Sequence, residues 1–375
     1  MTQAAISDWK ITDEAAGAPG YLTIDLKALG RNYDRLCALV APARVAAIVK
    51  ADAYGIGAEP VARTVYARGC RDFFVAQFNE AVLLRPALAG DARIFVLNGL
   101  QPGNEDVCAR QNIVPVINSL EQWKLWSDTV RRLNRILPAV VQFDTGMSRL
   151  GIPPEEREAF AGEVAAERGI DILFVMSHLA SADEPENLQN ADQLAEFGKI
   201  AAQFPGIDFS FANSGGVGLG AAYHGLIARP GIALYGGAFT SAPLSMEPVV
   251  HLDVAVVQTR TVPAGARVGY SATHITREPR RLATIAAGYA DGLPRSLSDK
   301  GAVYYDGIRL PIVGRVSMDS ITIDISALPE GTLGLGSRVE VFGPHQTVED
   351  VARDAGTISY EILTGLGQRY QRHCR

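Results

Sequence analysis

The sequence has no surplus of positive charge, no long apolar run, no paired cysteines and no repeated or low-complexity segment. Lys and Arg total 35 against 41 Asp and Glu, a net charge of −6 with a pI near 5.6, which leaves no electrostatic footprint for nucleic acid. Without a stretch long and apolar enough to span a bilayer, no membrane association is expected. The four cysteines, Cys37, Cys70, Cys108 and Cys374, are scattered with no C-x-x-C pair. That excludes a disulfide framework or zinc site and reads as reduced thiols in a cytoplasmic protein. Residues 1–20 carry Asp8, Asp13 and Glu14 around no apolar core, so they form an N-terminal tail rather than a signal peptide. The six histidines show no ligand spacing, and no metal is expected. The glycine run 215–220 does not spell G-x-G-x-x-G, so a dinucleotide fingerprint is unsupported.

What is present is a chain of 375 residues, long enough for a large barrel and a smaller second unit. Val45 to Val49 is an unbroken apolar run rich in β-branched residues, as suits a strand buried on both faces. Further strands fall near 72–77, 93–97, 113–118, 136–144, 171–178, 208–214 and 227–229. Helical stretches alternate with them: Asp25 can cap a helix through Leu26, Leu29, Tyr33, Leu36 and Val40, and others lie near 119–133, 153–168 and 187–204. Eight strands alternating with helices imply an N-terminal (β/α)8 TIM-type barrel over residues 21–245. Beyond, short β-type runs near 252–262, 268–271, 282–287, 302–305, 309–313, 321–325 and 339–342 are separated by glycine turns, among them the hairpin signal Asp306-Gly307. Residues 246–375 therefore read as a mostly antiparallel β domain, closed by a helix containing Tyr360, Ile362 and Leu363.

In such barrels the reactive groups come from the C-terminal ends of strands, and phosphate is often held after the seventh and eighth. The polar residues follow that rule. Lys50 ends the first strand, Asp144 and then Arg149 follow the fifth, His178 ends the sixth, Asn213-Ser214 the seventh and Arg229 the eighth. A partly dehydrated lysine has a lowered pKa and can form a Schiff base with an aldehyde. Ser214 with the backbone around Gly231 and Ile232 would form a cradle for a phosphate monoester. A lysine for an aldehyde and a phosphate seat on one rim suggest pyridoxal phosphate. Each residue also has a plainer reading: Lys50 as a surface lysine at a strand end, Asn213-Ser214 as a turn, His178 as a structural histidine, Arg229 as an ion-pair partner.

The wording of these stretches resembles the alanine racemase family from about Tyr21 to the last helix. VKADAYGIG, 49–57, is similar to the segment that carries the cofactor-bound lysine, and DTGMSRLG, 144–151, to the one whose arginine holds the substrate carboxylate, here Arg149. SHLASADE supplies His178 and Asp183, FANS supplies Asn213 and Ser214, and RPGIALYG supplies Arg229, Gly231 and Ile232. VGYSAT places Tyr270 at the family's catalytic tyrosine. AAGYADGLPR supplies Tyr289 and Arg295, and GRVSMD supplies Arg315, Met318 and Asp319, matching the family's substrate entry and opposite wall.

The resemblance implies an isomerase interconverting L- and D-alanine to supply D-alanine for peptidoglycan, with pyridoxal phosphate as cofactor. It also implies a head-to-tail homodimer in which the tyrosine of one chain faces the lysine of the other. Moving an α-proton from one face to the other needs two bases: Lys50 for the D-isomer and Tyr270 of the partner subunit for the L-isomer. A free tyrosine titrates near ~10, so Tyr270 needs help to lose its proton, which His178 and Arg229 could provide. The family likeness further assigns Tyr54, His178, Asn213, Ser214, Arg229, Gly231 and Ile232 to the cofactor, Arg149 and Met318 to the substrate, and Asp183, Tyr289, Arg295 and Arg315 to the access corridor. Arg229 would donate to the ring nitrogen without giving up a proton, favouring return of the proton to Cα over transamination.

The chain departs from the family at three places. Gln142 stands where many relatives have a lysine, so a bound anion or waters are expected beside Arg149. Ile56 replaces a histidine, and LTGLGQRYQR, 363–372, offers no clear match to the family's second phosphate-side tyrosine. A racemase for serine, lysine or several amino acids is the nearest alternative. Decarboxylases need an acidic pocket and a reactive cysteine that no motif here provides. A non-catalytic cofactor carrier would lack the domain that holds Tyr270.

Overall fold

Among the described residues of Asp25–Val249, eight short parallel strands follow one another in chain order. The computed structural model describes residues 17–238 and 246–375. The first strand is Arg44–Val45 continued by Ala47–Ile48, and Asp72–Val75, Arg93–Val96, Ile113–Ile117, Leu137–Gln142, Ile170–Met176 and Phe209–Ser210 extend the sheet from it. Ile227–Ala228 pairs in parallel with Arg44–Val45, and the Arg229 N–H donates to Ala212 O at 2.9 Å. The eighth strand thus touches both the first and the seventh, and the predicted barrel closes. Asp72–Val75 and Ile113–Ile117 are buried at every position, which is why their sequences are nearly continuous apolar runs instead of alternating ones.

The helices pack where the 3.6-residue period places them. Leu26–Val40 opens on Asp25, whose Oδ1 accepts the Ala28 N–H at 2.9 Å, and it buries Leu29, Tyr33, Leu36 and Val40. Leu120–Leu133 opens on Ser119, whose hydroxyl accepts the Gln122 N–H at 3.2 Å, and it stops at Asn134 in the left-handed region.

The second unit is built on an eight-stranded sheet. Gly20–Ile24 lies in it, antiparallel to Val250–Val262 and parallel to Gln371–Cys374. This corrects two expectations. Residues 21–24 were assigned to the barrel, but alternate residues of Gly20–Ile24 are buried, a pattern suited to a sheet with one covered face. The helix Ser359–Thr364 was expected to end the chain, yet Gln371–Cys374 follows it as a strand. The domain boundary expected at 245 and most of the tail lie outside the described residues. The Asp306-Gly307 hairpin forms, with Tyr305 opposite Ile308 and both turn residues at positive φ, as a two-residue connection matching strand twist requires.

One cross-strand pair in this sheet is unfavourable. Asp253 lies opposite Glu340, and its carboxyl is pushed up to about 6, by burial first, then by Glu340, with Arg338 opposing. A carboxylate whose folded pKa exceeds its unfolded value costs stability above the folded pKa and nothing below the unfolded one. Asp253→Asn is therefore expected to stabilise the protein at pH 8, by up to about 3 kcal/mol, and to change it little at pH 4. Thermal unfolding at the two pH values checks the sign.

Candidate active site

Lys50 does not simply end a strand. The strand stops at Ile48, and Lys50 leads into Ala51, Asp52, Ala53 and Tyr54, all with φ between 52° and 57°. Four consecutive residues with side chains in the left-handed region are costly, about 1–2 kcal/mol each, because Cβ approaches the following carbonyl oxygen. Such a run persists only where its surroundings over-determine it. Here the Ala53 N–H donates to Val49 O and the Gly57 N–H to Asp52 O, both at 2.9 Å. Asp52 Oδ1 accepts the Ala58 N–H at 2.7 Å, and Glu80 Oε1 accepts the Ala51 N–H at 2.5 Å.

The turn carries Tyr54 back into the barrel, where it is buried with its ring centroid 4.7 Å from that of Tyr235. The Tyr235 hydroxyl donates to Ile48 O at 2.7 Å, so the aromatic pair is tied to the strand that precedes Lys50. A β-carbon on residue 231 would stand 2.1 Å from the Tyr54 hydroxyl oxygen, and only glycine permits that approach. On the same side the Ser214 hydroxyl accepts the N–H groups of Gly231, at 2.8 Å, and Ala233, at 3.3 Å. Ser214, Gly231 and Ile232 are all buried. The Ser214 hydroxyl, which takes these two N–H groups, and the Tyr54 phenol thus both lie against Gly231. That donor set fits a phosphate monoester.

Burial lowers the pKa of Lys50, Arg149 lowers it further, and Glu80 opposes the shift. His178 is pushed down to about 3, by burial first, then by Arg229, Arg149 and Lys50. Although part of the residue reaches solvent, the ring stays neutral at physiological pH. Arg229 is buried, and burial draws its guanidinium down to about 9. It donates to the Ser210 hydroxyl, to Ser177 O at 2.6 Å and to Phe211 O at 3.4 Å. The structure therefore brings Lys50, Arg149, His178 and Arg229 within electrostatic reach of one another.

Arg149 is exposed on a loop whose shape is set elsewhere. Asp144 Oδ1 accepts the N–H groups of Gly146, Met147 and Ser148 at 2.9, 3.0 and 3.1 Å. At Gly151, φ is 109° and a β-carbon would meet Asp144 N at 2.6 Å. Gln142 is buried at the end of the preceding strand. Asn213 uses its side chain on backbone, accepting from Gly216 N–H at 2.9 Å and donating to Leu179 O at 3.2 Å. It holds Ser214 in place. Asp183 is exposed on the loop after His178.

The remaining sequence-predicted residues gather on the second unit. Tyr270 is 69% exposed in the turn Tyr270–Ala272, and Arg315 Nη1 donates to the neighbouring Ser271 hydroxyl at 3.0 Å. Tyr289 and Met318 are also exposed. Their loops are cross-bonded, Tyr289 N–H to Ser317 O at 3.0 Å and Ala290 N–H to Met318 O at 3.1 Å. Arg369 clamps both loops, with bonds of 2.7 Å to each oxygen of buried Asp291 and to Asp319. Arg295 is exposed at the head of the short turn Arg295–Leu297.

Sequence reasoning missed Glu80, Ser177, Ser210 and Arg369. Only Glu80 carried a local signal, the spacing Gln77-x-x-Glu80 of a capping box. Among the described residues, no group of His, Cys, Asp and Glu could hold a metal ion, and no helix is long and apolar enough to cross a membrane.

Comparison with known proteins identifies the family. Residues 24–238 match the profile of the alanine racemase N-terminal domain and residues 249–374 that of the C-terminal domain. A Rhizobium johnstonii protein named "Alanine racemase, catabolic" is 68% identical over 362 residues, covering 96% of each chain. The alanine racemase of Brucella ovis is 54% identical over 374 residues, covering 96% of this chain and 94% of its own. The crystal structure of alanine racemase from Bartonella henselae with covalently bound pyridoxal phosphate is 42% identical. It superposes with a TM-score of 0.92 over 96% of this chain and 100% of that one. With both domains matched and identity sustained along nearly its whole length, the chain belongs to the alanine racemase family.

Proposed function

We propose that the protein is a pyridoxal-phosphate-dependent isomerase that interconverts L- and D-alanine, with Lys50 and Tyr270 of the partner subunit as the two bases of a homodimer. The observation that carries the reading is a lysine of suppressed basicity on the same rim as a phosphate cradle. When bound, the cofactor supplies an aldehyde for an amine and a ring that accepts the electron pair left at Cα.

The chain's own residues do the rest. Tyr54, Ser214, Gly231 and Ile232 hold the phosphate, while Asn213 keeps Ser214 in position. Arg229 presents a donor to the ring nitrogen; its bonds to Ser177 and Ser210 fix its direction. His178, neutral beside it, adds no charge of its own. Arg149 binds the substrate carboxylate on a loop stiffened by Asp144. Lys50, made less basic by burial and by Arg149, takes a proton from Cα on one face. The Tyr270 oxygen serves the other face. Its exposure together with Tyr289 and Met318 supports a surface completed by a second copy, where Met318 contacts substrate and Asp183, Tyr289, Arg295 and Arg315 line the approach.

Enantiomers have equal free energy in achiral solution, so the enzyme drives flux in neither direction. D-alanine supply for peptidoglycan in the cytoplasm is one use. The name "catabolic" on relatives from Rhizobium johnstonii and Agrobacterium fabrum favours consumption of D-alanine as a second. Chiral chromatography of L- and D-amino acids incubated with the loaded protein tests the assignment. Alanine is expected to reach equal amounts of both forms from either side. Failure to convert alanine overturns the reading, and faster conversion of serine or lysine replaces it with a broader racemase.

A further inference from the structure

The left-handed run Ala51–Tyr54 contains no glycine, the first being Gly55. Residues with a β-carbon leave that region when released, so the turn needs a hold at its first residue, next to Lys50. Glu80 supplies one from another part of the barrel. Its Oε1 accepts the Ala51 N–H at 2.5 Å, and its Oε2 accepts those of Ala76 and Gln77, each at 2.8 Å. Ala76 and Gln77 continue the second barrel strand, Asp72–Val75, and Glu80 lies in the helix Phe78–Leu84 that follows. One carboxylate therefore ties the loop after the first strand to the loop after the second.

We propose that Glu80 is a positioning residue for the site: its carboxylate holds the Lys50–Tyr54 turn left-handed and so keeps the lysine amine and the Tyr54 hydroxyl on one rim. This rests on the assignment of Lys50 to the cofactor. Both oxygens are needed, because the three N–H donors approach from two sides and a neutral amide offers a single acceptor. A groove of about 370 Å³ lined by Asp52, Glu59, Val75 and Glu80 among others runs beside the carboxylate. Asp52 Oδ1 fastens the far end of the same turn at Ala58, leaving Glu80 to fix the end that bears Lys50.

The test compares the full-length, cofactor-loaded parent with Glu80→Gln, Ala51→Gly and the double variant. Hydrogen exchange at amides 51–54, the visible absorbance of the cofactor, thermal unfolding, and kcat and KM for alanine are measured. Glycine adopts positive φ without penalty, so Ala51→Gly lowers the need for the brace. Glu80→Gln is expected to speed exchange of these amides by ~10-fold or more. It should cut kcat by ~10–100-fold with KM within ~3-fold, and the double variant should recover much of both losses. Unchanged exchange and kcat in Glu80→Gln overturn the proposal. So does a loss that Ala51→Gly fails to relieve, which assigns the carboxylate to capping Phe78–Leu84 instead. If Glu80→Gln does not fold, a folded double variant supports the brace and an unfolded one overturns it. A parent that racemises nothing refutes the functional reading but leaves the exchange comparison intact.

Discussion

Lys50→Ala is expected to abolish both racemisation and the borohydride-fixable visible absorbance of the cofactor-loaded protein, while the fold survives. Removal of a general base alone costs ~10²–10⁴-fold. In the proposed assignment the same amine also anchors the cofactor aldehyde, so the two losses compound and residual turnover should fall below detection. Survival of the fold follows from the surroundings: Lys50 lies at the barrel rim, and the left-handed turn after it is fixed through backbone, Asp52 and Glu80. Chiral chromatography reads the activity. Reduction of the parent with borohydride followed by peptide mapping should place the label on residue 50 and on none of the other lysines. An alanine variant that keeps the absorbance refutes the assignment.

Tyr270→Phe should separate the two directions of the reaction. The side chain is largely exposed, so loss of its hydroxyl should leave folding and cofactor loading unchanged. Racemisation is expected to fall by ~10²–10⁴-fold, because the base on the L-face is gone. Lys50 remains for the other face, so D-alanine in heavy water should still exchange its α-hydrogen for deuterium without inverting, whereas L-alanine should exchange far more slowly. Equal exchange of the two enantiomers would remove Tyr270 from the role. Mixing Lys50→Ala and Tyr270→Phe chains provides an independent check. Each mixed dimer would carry one site with both bases, and random pairing should restore roughly a quarter of parental activity in a symmetric two-chain enzyme. No recovery in verified mixed dimers would put both bases on one chain.

The barrel was legible because its strands carry their burial in their composition. Ile113 and Val114, adjacent and so on opposite faces of Ile113–Ile117, are both buried, and such a run admits little else at that length. The polar rim was legible for the same reason, since each functional residue follows an apolar run. Gly20–Ile24 was missed because five alternating residues after a polar tail match a strand only once a partner is known. Gln371–Cys374 was missed because Gln, Arg, His and Cys carry no strand signature, and its pairing comes from Gly20–Ile24 alone. The left-handed turn left no trace in ADAY, whose residues are ordinary and whose shape is imposed by Val49, Asp52 and Glu80. Arg369 was unreadable because its partners Asp291 and Asp319 lie 78 and 50 positions away.

Gly20–Ile24 is made before the barrel, but its neighbours Val250–Val262 and Gln371–Cys374 are made after it. On a ribosome adding ~5–20 residues per second, this strand emerges roughly 20–70 s before its parallel neighbour. Asp25–Val249 is continuous and can begin to fold in that interval. The leading strand stays unpaired until Val250–Val262 emerges, and its parallel side is covered only once Gln371–Cys374 has been made.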